Sequence, residues 1–445
     1  MKPSRSILEE SFRYVRMKAS SLSLPVGQTA PIHRSHPAPP AIASRHAVHL
    51  LLAFANFAVG MGAFIVVSVL SPVASAFGVG TAEAGWLLTI FALVYAVTSP
   101  VLVATTGGVD RARVLLTGLI LLTIGSVAGA LAPSFGVLLA SRALMAVGAG
   151  LVTPVAAAIG VASVDPEHRG RTLALIYGGL TLAQAVGVPA GAWLGYAVGW
   201  RLAFGIVAAL AFLSAIVLNR FLPRGLAVQR TSLATLGTVL ATPRLVFAIA
   251  FTALFVAGTF VVYTYLAPFL EARYGLSRNG VTAMMVVFGL GAVVGNAMGG
   301  FLSDRIGSVR TLVALCVAQL AIMPFLTLAH MSLLATGVAI GVWSVFGWSF
   351  QVPQQARLAA LEPAKAPVLF ALHAAAIYVG ACVGSLIGGQ TLEIGGYDAL
   401  GPSGAAFIFI ALGSLGIVAR MFQRARGESK VSARVAPRCD GACPN

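Results

Sequence analysis

Gly107-Gly108-Val109-Asp110-Arg111 and Gly300-Phe301-Leu302-Ser303-Asp304-Arg305-Ile306-Gly307 are two glycine-rich turns that carry Asp-Arg, and their aspartates stand 194 residues apart. Other landmarks keep nearly the same offset and the same order. Leu70-Ser71-Pro72 answers Leu266-Ala267-Pro268, Pro154 answers Pro353, Asp165-Pro166 answers Glu362-Pro363, and a glycine run at Gly187 answers one at Gly380. The chain is therefore two homologous halves. Duplicated halves suit a transporter, because a solute can sit between them while they rock about it.

Working outward from the turns, composition places the halves in a membrane. The 445 residues are 58% hydrophobic and 9% charged, with a mean hydropathy of +0.92. Soluble domains carry roughly 25% charged residues. A membrane span needs about 20 mainly apolar residues, and twelve such stretches are readable, at 47–71, 83–106, 112–132, 135–162, 172–198, 202–222, 245–270, 279–302, 309–329, 333–356, 366–391 and 402–421. The expected organisation is a disordered basic arm at 1–46, a six-helix bundle at 47–222, a cytoplasmic linker at 223–244, a second bundle at 245–422 and a disordered cytoplasmic tail at 423–445. Both Asp-Arg turns fall between spans, two and three in the first half and eight and nine in the second.

The net charge of +16 would suggest nucleic acid in a soluble protein. Its distribution points elsewhere. With both termini in the cytoplasm, 25 of the 29 Lys and Arg residues fall on inner segments, Arg201, Arg273 and Arg278 fall outside, and Arg142 lies within a span. That asymmetry is the positive-inside pattern, and it makes anionic lipid rather than nucleic acid the partner of the basic excess. Cys316 and Cys382 read as small apolar residues within spans, while Cys439 and Cys443 have no second pair or histidine cluster to complete a metal site. No metal or cofactor is expected. No HExxH, GxSxG or paired His-Asp cluster suggests an enzyme.

In the second-half turn, Asp304 can accept from free amides at a helix N-terminus while Arg305 and Arg310 meet helix carbonyls or lipid phosphates. The pattern Gly300-x-x-x-Asp304-Arg305-x-Gly307-x-x-Arg310 resembles the signature loop of the major facilitator superfamily. The first-half copy, with Asp110, Arg111 and Arg113, resembles a worn version: Thr106 and Arg113 stand where glycines belong, and Val114 replaces a basic residue. Arg142-x-x-x-Ala146-x-Gly148-Ala149-Gly150 is similar to the family's second motif. Gly187-Val188-Pro189-Ala190-Gly191-Ala192-Trp193-Leu194-Gly195 is similar to its antiporter motif. Gly199-Trp200-Arg201 and Tyr263-Thr264-Tyr265-Leu266-Ala267-Pro268 resemble the arabinose-efflux-permease-like branch of the twelve-span drug:proton antiporters. The resemblance implies an all-α membrane fold of twelve helices in two pseudo-symmetric six-helix bundles. It also implies gate roles for the turns, with Asp304 the better bet, and a part for Arg142 in proton transfer.

Gly187, Gly191 and Gly195 recur every four residues and form a smooth stripe on span five, which Pro189 should bend. Gly380, Gly384 and Gly388 repeat the stripe on span eleven. In the family fold these spans meet spans eight and two across the domain interface, where close packing would seal one side. Proton coupling is harder to place, because none of the thirteen acidic residues lies in the middle of a span. His373 in span eleven is the titratable group of suitable range, and with Arg142 it is the coupling candidate. A polar group in lipid is costly, so Asn56, Gln184, Tyr263, Gln355 and His373 are the expected cavity residues.

These readings combine into one expectation. It is a monomeric inner (plasma) membrane transporter that exports a small solute by proton antiport, the solute being a sugar, a nucleoside or an antibiotic-like compound. Such a role would appear as sugar efflux or drug resistance. The alternative is a proton-independent facilitator or importer.

Overall fold

Backbone in lipid must satisfy its own hydrogen bonds, which for these apolar runs means helices. In the computed structural model every expected stretch is one: α1 (His46–Phe77), α2 (Thr81–Gly108), α3 (Arg111–Ala130), α4 (Phe135–Ala162), α5 (Arg169–Ala197), α6 (Trp200–Phe221), α7 (Pro243–Tyr274), α8 (Arg278–Ile306), α9 (Ser308–Leu328), α10 (Leu333–Leu361), α11 (Val368–Gly395) and α12 (Tyr397–Val418). The structure describes residues 42–165, 168–222 and 233–435, with no strand among them, and from Ala43 onward they belong to one unit. Residues 1–41 of the basic arm, Cys439 and Cys443 lie outside the described residues. Helix also occurs between the bundles and beyond the last span. The linker contains a helix, Leu233–Leu240, and the last helix runs Leu400–Val435, well into the expected tail. Ala, Arg, Gln and Met in that segment are good helix formers, and no proline interrupts them before Pro437.

The duplication reappears in the caps and the kinks. Ser134 and Ser332 begin α4 and α10, each hydroxyl accepting from the amide three residues on, Val137 and Ala335, at 3.4 Å. A proline removes one amide and crowds the carbonyl four residues back, and the helical defects sit where that rule puts them. Val69 leaves helical geometry (φ −115, ψ 15) just before Pro72 in α1. Helix α7 breaks between Tyr263 and Leu266, ahead of Pro268. Helix α10 breaks between Trp348 and Gln351, ahead of Pro353. The bend expected at Pro189 takes the form of a π-turn at Ala183–Gly187.

The halves meet where α2 packs on α11 and α5 packs on α8. The glycine stripes, however, face inward within their own halves. A Cβ on Gly187, Gly191 or Gly195 would strike Met61, Ile65 or Val69 of α1, and one on Gly380, Gly384 or Gly388 would strike the α7 backbone at Ala253, Ala257 or Val261. At the interface with α8 the close approach is made by Gly289, whose added Cβ would lie 2.6 Å from Ala185 Cα. A four-residue repeat identifies a smooth face but not the neighbour it serves. In Gly384→Ala the new Cβ would meet the Ala257 carbonyl oxygen at 2.3 Å, backbone that cannot swing away, whereas at Gly413 of α12 it would meet nothing within 4 Å. Overpacking of this kind costs about 1–3 kcal/mol. Gly384→Ala should therefore lower the thermal unfolding midpoint in detergent and Gly413→Ala should not; equal midpoints would remove the packing argument.

Candidate functional site

Irregular backbone at membrane depth persists where it is enclosed by protein or lines a cavity, and two of the expected cavity residues sit on such defects. Gln184 lies in the π-turn of α5, and Tyr263 ends the first segment of α7. Both are buried, and the Gln184 Oε1 and Tyr263 hydroxyl have no hydrogen-bond partner among the described residues. Packing draws them toward one another across the halves. The Gln184 carbonyl faces Gly289 of α8, and Tyr263 stacks on the preceding residue, Phe288, with centroids 4.6 Å apart. Asn56 approaches from α1, one turn before Gly60, which packs on Ala183. Its amide nitrogen bonds the Leu52 carbonyl at 3.3 Å, leaving Oδ1 unpaired. Buried polar atoms are normally satisfied. Three unpaired buried atoms thus lie on α1, α5 and α7, whose backbones or rings pack near one another and near α8.

The other two cavity candidates lie elsewhere. Gln355 is half-buried on α10 and makes no hydrogen bond among the described residues. His373, 1% exposed, places Nδ1 3.0 Å from the Thr252 hydroxyl of α7 and leaves Nε2 without a partner. Thr252 also accepts from Gln354 Nε2 at 3.1 Å, and Gln354 Oε1 accepts from Arg357 Nη1 at 3.2 Å. Thr252, Gln354 and Arg357 were not among the sequence candidates. Arg357 looked like an inner-loop charge beyond span ten, yet the break at Pro353 carries the helix on to Leu361 and buries the side chain to 4% exposure.

Arg142 is fully buried on α4, and its nitrogens bond backbone carbonyls of α1 and α2: Nε to Leu87 at 3.0 Å, Nη1 to Gly62 and Nη2 to Ala63 at 3.0 Å. Its guanidinium lies 4.4 Å from the centre of the Phe91 ring. Three helices are tied by one side chain. No direct contact joins it to His373; the nearest link runs through rings, since Phe91 meets Tyr378 of α11 at 6.3 Å.

The sequence profile of the Major Facilitator Superfamily matches residues 52–385. This chain belongs to that superfamily. It is 30% identical over 362 residues to the uncharacterized MFS-type transporter YbcL of Bacillus subtilis, covering 81% of this chain and 93% of that protein. It is 29% identical over 367 residues to the inner membrane transport protein YdhP of Escherichia coli K12, covering 82% and 93%. A bacterial homologue of the human lysosomal transporter Spinster, solved in an inward-facing, occupied conformation, shares the fold with a TM-score of 0.66 at 20% identity, over 86% of this chain and 98% of that one. The protein is thus a multi-pass membrane transporter, and its chemistry is transport rather than catalysis.

Major facilitator proteins work by rocking two bundles, so the contacts that cross the bundles describe the conformation. The cross-bundle contacts observed here lie mid-membrane and on the face opposite the Asp-Arg turns. Mid-membrane, Tyr95 of α2 stacks on Tyr378 of α11 with centroids 3.6 Å apart. On the opposite face the Tyr196 hydroxyl donates to Glu271, Arg278 sits 5.4 Å from the Trp193 ring centre, and the Ser385 hydroxyl donates to the Gly85 carbonyl at 3.1 Å. That face is closed.

On the turn-bearing face the two Asp-Arg copies differ: the first caps a helix, and the second does not accept from a helix N-terminus as its sequence allowed. Asp110 caps α3, its carboxylate accepting from the Ala112 amide at 3.1 Å, and it lines a cleft with Arg113, Asn219 and Leu222. Arg111 is buried, with Nε unpaired. Asp304 is exposed, as are Arg305, which lies 4.3 Å from the Phe301 ring centre, and Arg310. The cause is turn geometry. A 3-10 turn at Thr106–Gly108 ends α2 early and leaves Asp110 extended at the N-cap. In the second half the single Gly307 (φ +87) joins α8 to α9, so Asp304 remains in the last turn of α8. A carboxylate there opposes the helix dipole, a position better suited to meeting a partner in another conformation.

Proposed function

We propose that this major facilitator protein is a proton-driven exporter of a small polar or amphiphilic solute, such as a sugar, a nucleoside or an antibiotic-like compound, working by alternating access with both termini in the cytoplasm. The observation that carries the reading is His373. It is a buried titratable side chain within α11, bonded on one nitrogen and unpartnered on the other, in a chain whose carboxylates all lie outside the middle of the spans. Protonation of the imidazole adds a charge that the surrounding apolar residues disfavour, so proton uptake biases the rocking equilibrium. Arg142 holds α1, α2 and α4 in register, and the ring contact through Phe91 and Tyr378 ties that clamp to the His373 helix. The polar centre at Asn56, Gln184 and Tyr263 receives the solute, and the face bearing Asp304 is cytoplasmic and open in this conformation.

Export over uptake is supported by the antiporter-like glycine-proline stripe of α5. The facilitator reading keeps its footing in the lack of a carboxylate at mid-span. Inverted membrane vesicles from cells making the full chain, given an imposed pH gradient and a panel of labelled sugars, nucleosides and amphenicols, separate the two. The expected result is gradient-dependent accumulation that His373→Ala abolishes while solute binding persists. Accumulation indifferent to the gradient would leave the facilitator. In the same assay Asp304→Asn should slow turnover without changing membrane insertion.

A further inference from the structure

The two buried arginines differ in a way that bears on the solute. Each donor nitrogen of Arg142 is bonded to a backbone carbonyl, so its charge is fully solvated by the protein. Arg357 has a single hydrogen bond, from Nη1 to Gln354 Oε1, and its remaining nitrogens bond nothing among the described residues. Its other neighbour is the Phe251 ring, at 5.8 Å. The carboxylate nearest in sequence, Glu362, pairs with Arg244 at 3.7 Å. A guanidinium 4% exposed, with one neutral partner and its other nitrogens reaching solvent, is placed to be joined by an anion.

The rest of the chain points the same way. Because Gln354 Oε1 is occupied by Arg357, its Nε2 donates, to the Ala248 carbonyl at 2.8 Å and to Thr252. The Thr252 proton then has His373 Nδ1 as its acceptor, which puts the imidazole proton on Nε2. The chain Arg357–Gln354–Thr252–His373 thus ends in unpaired N–H donors on both sides, while its oxygens lie in the middle and each already accepts a bond. Receptors built only of donors select oxyanions. Beside it stands a run of buried rings: Phe251 to Phe255 at 5.8 Å, Phe255 to Phe350 at 5.0 Å, and Phe350 to His373 at 6.2 Å.

We propose that this donor-terminated chain between α7, α10 and α11 binds the oxyanion group of the transported solute, and that the solute is an organic anion with an apolar or aromatic body. Arg357 holds the oxyanion, and His373 Nε2–H reads a further acceptor on the same molecule. This rests on the transport reading and narrows its solute class. The coupling histidine then touches the cargo, so that proton and anion share one site.

The test uses purified full-length protein in neutral detergent, with benzoate as probe and benzamide as its uncharged counterpart. Benzoate should raise the thermal unfolding midpoint saturably and benzamide should not, because only the former supplies the charge. Arg357→Gln should weaken benzoate binding by about tenfold or more, the size expected for a lost charge-assisted hydrogen bond. Arg357→Lys, which keeps the charge but loses the fork, should fall between. Displacement of benzoate by inorganic phosphate would agree with an oxyanion site. Equal shifts from benzoate and benzamide in the unaltered protein would overturn the proposal without recourse to any variant, as would an unchanged affinity in Arg357→Gln. Stabilisation by phosphatidylglycerol micelles with none by benzoate would give Arg357 to lipid headgroups and overturn it too. Binding is read without a gradient, so a failed pH-driven transport assay would leave this site standing, and the reverse result would remove the site alone.

Discussion

Arg142→Met should leave less assembled protein in the membrane than any other single substitution considered above. The guanidinium supplies donors to the carbonyls of Gly62, Ala63 and Leu87 and stacks on Phe91. Each buried acceptor left without its donor costs about 1–3 kcal/mol. These carbonyls also accept within their own helices, which puts each near the lower end and the sum at about 3 kcal/mol. That is a large part of a net stability of about 5–15 kcal/mol. Arg142→Lys should recover only part of it, since one ammonium cannot reproduce a planar fork aimed at two helices. The measurement is the yield of monodisperse protein after extraction together with its unfolding midpoint. If Arg142→Met kept its midpoint and lost only the pH dependence of transport, the clamp would be wrong and the proton-transfer role implied by the family resemblance would stand.

The contrast between Arg142 and Arg357 shows what sequence carries in this fold and what it does not. Span number, duplication and the bend in span five were readable because each depends on local chemistry: apolar length, repeated landmarks, and a missing amide at Pro189. Polarity within a span pointed to Asn56, Gln184, Tyr263 and His373, and these are buried residues with a polar atom left unpaired. Arg357 escaped notice because a hydropathy window ends a span at the first charge, while the helix itself continues past it. Gln354 and Thr252 escaped because a single amide or hydroxyl signals nothing until three helices bring it beside another. The glycine stripes were visible but their partners were not, since helical periodicity gives a direction around one axis and no identity for what lies there. That Asp110 and not Asp304 caps a helix had the same root: it depends on whether the helices are joined by a 3-10 segment or by one glycine with positive φ.

Tethering Tyr196 to Glu271 should abolish transport outright, and releasing the tether should restore it. These side chains join α5 to α7 on the closed face, beside the Trp193–Arg278 contact and near the Ser385–Gly85 hydrogen bond. A hydrogen bond to a carboxylate is worth about 1.5–3 kcal/mol, enough with its neighbours to favour the closed face and little enough to be broken in each cycle. A covalent link cannot be broken that way. With Cys316, Cys382, Cys439 and Cys443 replaced, Tyr196→Cys and Glu271→Cys give a defined pair. Because the partners meet through a long tyrosine and a glutamate rather than through their backbones, and a direct disulfide needs Cα atoms within about 7 Å, a reducible bis-methanethiosulfonate spacer is the suitable link. Quantitative cross-linking should reduce vesicle transport to background while leaving ligand binding from the face bearing Asp304 intact, and dithiothreitol should reverse the block. The uncross-linked double variant already lacks the hydrogen bond, so it should populate the other conformation more than the parent. Undiminished transport in fully cross-linked protein would mean that this face need not open, and alternating access through it would have to be abandoned.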